Sequence, residues 1–162
     1  MIRIFGRARF AAFLIAALAV AGCASKPTDN LAGGAGAAAP GSPQDFVVNV
    51  GDRVFFETDS TDLTPQSRST LDKQAQWLQQ YPSWKVKLQG FADDPGSPAQ
   101  QSALSQKRAE AVRDYLASRG VGADRMKAKG YGRDRLVGTC AEIECKAQNR
   151  RVITNPQQGP DF

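Results

Sequence analysis

Three short stretches hold side chains able to grip a charged ligand. They are Gly90-Phe91-Ala92-Asp93-Asp94-Pro95-Gly96, Leu104-Ser105-Gln106-Lys107-Arg108 and Asn149-Arg150-Arg151. A carboxylate accepts hydrogen bonds from an ammonium, and a guanidinium clamps a carboxylate through two parallel bonds. Together they suit a small ligand carrying both charges. Arg108 stands out because, wound as a helix, Leu104, Ala111, Val112, Tyr115 and Leu116 share one sector and Arg108 falls inside it. A guanidinium on a core-facing stripe must be paired or reach an opening, since an unpaired buried charge is prohibitive. Asp93 emerges just past the strand ending at Gln89-Gly90. Two readings stay open: Asp93 and Arg108 form a structural ion pair, or they flank a gap that a ligand fills. A hydrogen bond to a charged group contributes about 1.5–3 kcal/mol. A handful makes a weak site, adequate against a polymer that repeats the group many times.

The elements that must position these residues follow from periodicity and caps. Val47–Glu57, rich in β-branched and aromatic residues, reads as a first strand. Thr64-Pro65 is a helix start, with Thr as N-cap and Pro at the first helical position. Leu71, Ala75 and Leu78 then give an apolar stripe ending near Tyr81-Pro82. Trp84, Val86 and Leu88 alternate with Lys85, Lys87 and Gln89, a half-buried strand. A Pro/Gly loop over 93–98 leads into a helix over Ala99–Ser118, closed by Gly120. Arg125–Gly130 reads as a strand, Glu142–Gln148 as a short helix and Arg151–Thr154 as the final strand. The order β-α-β-α-β-(α)-β implies an α+β fold with helices packed on a mixed sheet.

Composition excludes several functions. The net charge is +5, but without Arg3, Arg7 and Arg9 the chain keeps 18 basic and 16 acidic side chains. Electrostatic capture of nucleic acid then loses its basis. There is no histidine, which removes Ser-His-Asp and Cys-His catalysis and histidine-rich zinc sites. Asp93 and Asp94 could be imagined as paired catalytic carboxylates, but adjacent loop residues point apart. The chain therefore reads as a binding protein, without catalytic residues, metal or cofactor.

Residues 1–22 have the parts of an export signal: basic residues, an apolar run from Phe10 to Val20, and small residues before a break. The run is short for a membrane span, which needs about 20 residues. It ends Val20-Ala21-Gly22-Cys23, which resembles the bacterial lipobox, the alternative being an ordinary signal with a chance cysteine. The lipobox resemblance implies diacylglycerol on Cys23 and, with no Asp at position 24, transport to the outer membrane. Residues 23–45, dominated by Ala, Gly, Pro and Ser, read as a flexible tether, with a reach of roughly 25 Å for about 20 residues. The folded domain then spans 46–155 and a tail 156–162. With Cys23 lipidated, Cys140 and Cys145 remain, and an even pair in an exported chain reads as a disulfide, two free thiols being the alternative.

Gly51-Asp52-Arg53-Val54-Phe55-Phe56 with Asp59-Ser60, Leu78 to Pro82, Gly90-x-Ala92-Asp93, Leu104 to Ala109, Gly120-Val121, Gly130-Tyr131-Gly132 and Asn149-Arg150-Arg151 form one combination. It resembles the OmpA-like peptidoglycan-binding domain family, in the lipid-anchored arrangement of lipobox, tether and single domain. The resemblance covers essentially the whole mature chain. It implies that Asp93 and Arg108 grip the diaminopimelate of the cell-wall stem peptide, joined by Gln101, Leu104, Asn149 and Arg150. It also implies a lipoprotein of the outer membrane facing the periplasm, with a TolB-like periplasmic protein as a second partner. A module that mainly docks such a protein is the alternative. The chain departs from the family pattern at Phe91, where His is usual, at Asp94-Pro95-Gly96, where Glu-Arg-Gly is frequent, and at Gln100-Gln101, where Tyr-Asn is usual.

Overall fold

The computed structural model describes residues 38–139 and 142–159. The expected export signal, Cys23, most of the expected tether, Cys140 and the end of the tail lie outside the described residues. Four strands, β1 (Arg53–Phe55), β2 (Lys85–Gly90), β3 (Met126–Gly130) and β4 (Arg151–Gln157), form one sheet in the order β1-β4-β2-β3. β2 and β3 run parallel, while β4 lies antiparallel to both β1 and β2. The sheet is mixed, as the order of elements implied. Among the described residues four α-helices accompany it: α1 (Pro43–Asp45), α2 (Pro65–Gln80), α3 (Pro98–Ser118) and α4 (Ile143–Asn149). Among the described residues no helix is long and apolar enough to cross a membrane.

Local chemistry explains the long helices. Thr64 and Ser97 each accept a hydrogen bond from a backbone N–H in the first turn, of Ser67 and Gln100, with Pro at the first helical position. Gln100 completes a capping box by accepting from the Ser97 N–H. α3 ends at Ser118, and Gly120 follows with a left-handed φ of 89°. Along β2, Val86, Leu88 and Gly90 turn inward while Lys85, Lys87 and Gln89 stay half-buried on the other face. Gly90 permits the close passage of α3 over the sheet, because a Cβ there would collide with the Ser105 carbonyl.

The core gathers Leu71, Leu78, Val86, Leu88, Val112, Leu116 and Val152 from both long helices and the sheet, with Phe46 from the segment before β1. Its N-terminal edge differs from the expected first strand. Only Arg53–Phe55 are extended, while Phe46–Val50 coil as a π-helix with Gly51 N–H donating to the Phe46 carbonyl. Side-chain anchors override β-propensity here. Asp45 accepts from Gly41 N–H, Asn49 Nδ2 and Trp77 Nε1, while Phe46 is buried edge-on against the Trp77 ring. Trp84 Nε1 donates to the Gly41 carbonyl, so docking begins inside the segment read as tether. β4 also runs on to Gln157, paired with Lys85 of β2.

Candidate functional site

The buried stripe of α3 is Gln101, Ser105, Arg108, Ala109, Val112 and Leu116, with Leu104, Ala111 and Tyr115 only half-buried. Arg108 sits at its centre and is fully buried. Its partner is Asp94, not Asp93. Nη1 donates to Asp94 Oδ2 at 2.7 Å and Nη2 to Oδ1 at 3.0 Å, a bidentate pair. Nε donates to the Ser60 carbonyl at 2.9 Å, Nη2 to the Glu57 carbonyl at 3.0 Å and Nη1 to the Phe91 carbonyl at 3.4 Å. A guanidinium has five N–H donors, and these contacts use all of them. The ring of Phe56 lies beneath, 5.3 Å from the guanidinium carbon. In this conformation Arg108 has no donor left for a ligand.

Asp94 is closed on every side. It accepts from the Asp59 N–H at 2.7 Å, and its backbone N–H donates to Gln101 Oε1 while its carbonyl accepts from Gln101 Nε2. Gln101 therefore pins the loop rather than facing an opening. Burial pushes the Asp94 carboxyl up, but its hydrogen bonds to Arg108 and Asp59, with the charges of Arg108 and Arg150, hold it below the ordinary carboxylate value. Asp59 takes a left-handed φ of 54°, unusual for a side chain with a Cβ. That conformation turns its N–H to Asp94.

Asp93 points away from Asp94, as neighbouring loop residues do, and is 5% exposed. Asn149, fully buried, donates from Nδ2 to Asp93 Oδ2 at 2.9 Å and to the Gly138 carbonyl, and its Oδ1 accepts from the Val137 N–H. The outer oxygen of Asp93 meets Arg133 at 2.9 Å. Arg150 donates from Nε to the Phe56 carbonyl and lines a cleft of about 380 Å³ with Phe55, Glu57, Thr64, Ser67 and Gln148. Phe91, at the family's usual His position, is buried between the Tyr131 ring and the Arg151 guanidinium.

The structure thus brings Asp93, Arg108, Gln101, Asn149 and Arg150 into one polar region, while Leu104 is half-buried on α3. Asp94, Asp59 and Arg133 belong to it and escaped the sequence reading as site residues. In the sequence Asp94 stands out as an improbable catalytic partner for Asp93 and as part of a departure from the family pattern, and no periodicity signals a carbonyl-lined pocket for Arg108.

A sequence model of the OmpA family matches residues 55–150, from the end of β1 to the basic pair before β4. The peptidoglycan-associated lipoprotein of Rhizobium meliloti strain 1021 is 51% identical over 146 residues, covering 87% of this chain and 83% of the relative. That of Brucella melitensis is 50% identical over 158 residues, 94% of both chains. The chain belongs to the peptidoglycan-associated lipoproteins of the OmpA family. Among solved OmpA-like folds, the peptidoglycan-associated lipoprotein of Burkholderia pseudomallei superposes with a TM-score of 0.67 at 33% identity, over 72% of this chain and all of that one. The C-terminal domain of Helicobacter pylori MotB shares the fold, with a TM-score of 0.62 at 21% identity over 68% of this chain and 87% of its own. Asp59, Asp93, Asp94, Gln101, Arg108, Arg133, Asn149 and Arg150 all lie inside the matched OmpA-family segment.

Proposed function

We propose that this protein is a non-catalytic module that holds peptidoglycan through the diaminopimelate of its stem peptides, with Asp93 receiving the ammonium. The observation that carries the reading is the state of Asp93. One oxygen is fixed by buried Asn149, and among the described residues the other meets a guanidinium whose side chain is 56% exposed. A carboxylate so oriented at a sheet end needs little rearrangement to accept a ligand cation. The names of relatives about half identical point to the same polymer. Arg108 serves this site by fixing Asp94 and the 57–60 loop, rather than by touching the ligand in the conformation described. Gln101 and Asn149 hold the two sides of the loop, and Arg150 supplies positive charge beside Asp94. The full-length protein should co-sediment with purified sacculi and be released by free diaminopimelate. Co-sedimentation that diaminopimelate leaves untouched would reject this ligand.

Cys23 we place in the outer membrane as a lipid anchor, which would let the domain tie that membrane to the cell wall within a Tol–Pal-type system serving envelope integrity and cell division. Cys23→Ser should free the protein from the membrane fraction, and unchanged fractionation would count against the anchor. Cys140 and Cys145 we pair as a disulfide constraining the segment before Asn149. Non-reducing peptide mapping in which both alkylate freely would reject the pair.

A protein partner of TolB type is favoured by one feature. Val137 is 63% and Ile143 74% exposed, and the backbone N–H of Val137 is bonded by Asn149 itself. Exposed apolar side chains at the border of a polar site suit a docking rim. If the surfaces overlap, a TolB-like protein and sacculi should compete for this protein. Simultaneous binding would separate the two surfaces.

A further inference from the structure

Arg108 spends its donors inside the fold, which leaves open what receives the ligand's carboxylate. The guanidinium that faces Asp93 belongs to Arg133, and the backbone puts it there. β2 and β3 continue past their ends, with Tyr131 N–H donating to the Gly90 carbonyl and Ala92 N–H to the Gly132 carbonyl. Gly132 N–H donates in turn to Ser105 Oγ on α3. The residues that follow these bonded neighbours are Asp93 and Arg133, so their meeting is built into the sheet edge. The two partners are unequal. Asp93 is 5% exposed and tied to Asn149, whereas the Arg133 side chain is 56% exposed. An exposed arm held by one ion pair swings away at little cost. Arg133 also borders a cleft of about 300 Å³, lined in part by Gln101, Ser102, Tyr131, Gly132 and Asp134.

We propose that Arg133 is the carboxylate-binding residue of this site, and that a zwitterionic amino-acid centre inserts between Asp93 and Arg133. The ligand's ammonium takes the outer oxygen of Asp93, and its carboxylate takes the guanidinium thereby released. One ion pair is exchanged for two charge-assisted contacts, so the insertion is favourable for a ligand bearing both charges. A ligand bearing only the ammonium trades one contact for another and gains nothing. The site is therefore selective for a free carboxylate beside the amine. This inference rests on the reading of Asp93 as the ammonium acceptor.

The test uses the full-length protein and two fluorescent stem peptides, one ending in diaminopimelate with its free carboxylate and one with that carboxylate amidated. The wild type should bind the free acid about ten-fold more tightly, the scale of one charged hydrogen bond. Arg133→Gln should lose the preference and bind the two peptides alike, the free acid no more tightly than the wild type does, with unchanged melting, and Arg133→Lys should restore part of the preference. Persistence of the preference in Arg133→Gln would overturn the proposal. So would tighter binding of the free acid by Arg133→Gln than by the wild type, which would make Arg133 a mere competitor for Asp93. Asp93→Asn reports separately on the underlying reading. It should lose both peptides, and binding of both at wild-type strength would remove Asp93 as the ammonium acceptor.

Discussion

The two halves of α3 lie on the same sheet and bury their inner faces by different means. Toward its C-terminus the inner face is Val112 and Leu116, fully buried and packed with Val86, Leu88 and Met126 in the apolar core. Toward its N-terminus the inner face is Gln101, Ser105 and Arg108, equally buried but held by hydrogen bonds. The apolar half tolerates approximate fit, because dispersion and burial are non-directional. The polar half tolerates very little, because each buried donor needs its acceptor in place. The contrast assigns the halves different duties: one stabilises the domain, the other fixes the 57–60 loop, the 91–94 turn and the residue that faces outward from them.

Substitutions on each half should break the comparison in different ways. Arg108→Ala should have the largest effect. It leaves Asp94 buried without a counter-charge, a loss of about 3–5 kcal/mol of stability, and it frees the 57–60 carbonyls that shape the site. Leu116→Ala should cost a comparable or smaller amount, about 2–5 kcal/mol, yet leave sacculus binding of the folded fraction intact. Chemical denaturation paired with sacculus co-sedimentation separates them. Equal loss of binding in both variants would erase the distinction between the halves.

Acid should sharpen the same contrast with a smaller effect. The Asp94 carboxyl is held below its ordinary value in the folded protein. Its contribution is therefore present above the unfolded carboxyl value, about 3.9, and is lost as pH falls through the lower folded value. Stability of the wild type should drop with acidification in that window. An Asp94→Asn variant should start less stable and lose less over the same range. An identical acid slope in the two proteins would deny Asp94 this role.

How much of this was legible in the sequence divides along the same line. The Thr64-Pro65 cap, the Trp84–Leu88 alternation and the Leu116 end of α3 announced themselves, because caps and apolar periodicity are local signals. Arg108 on the apolar stripe was visible as an anomaly, and the requirement that it be paired held. Its partner was not visible, because choosing between Asp93 and Asp94 depends on the turn of one loop and on the left-handed backbone at Asp59. Arg133 was invisible for a related reason: only the pairing of β2 with β3 sets it beside Asp93. The strand expected over 47–57 shortened to Arg53–Phe55 because Asp45 and Trp77, far apart in sequence, anchor the preceding coil.

The central claim is that Asp93 faces the ligand while Arg108 and Asp94 hold it in place. Equilibrium binding of full-length Asp93→Asn to purified sacculi, with thermal melting on the same sample, tests it most directly. Among the described residues Asp93 pairs with exposed Arg133 and with Asn149, so its loss should cost little stability, on the order of 1 kcal/mol for the pair with Arg133. Binding should fall at least ten-fold, the scale of about 1.5–3 kcal/mol for a hydrogen bond to a charged group. Wild-type binding by Asp93→Asn, or collapse of its fold, would contradict the account.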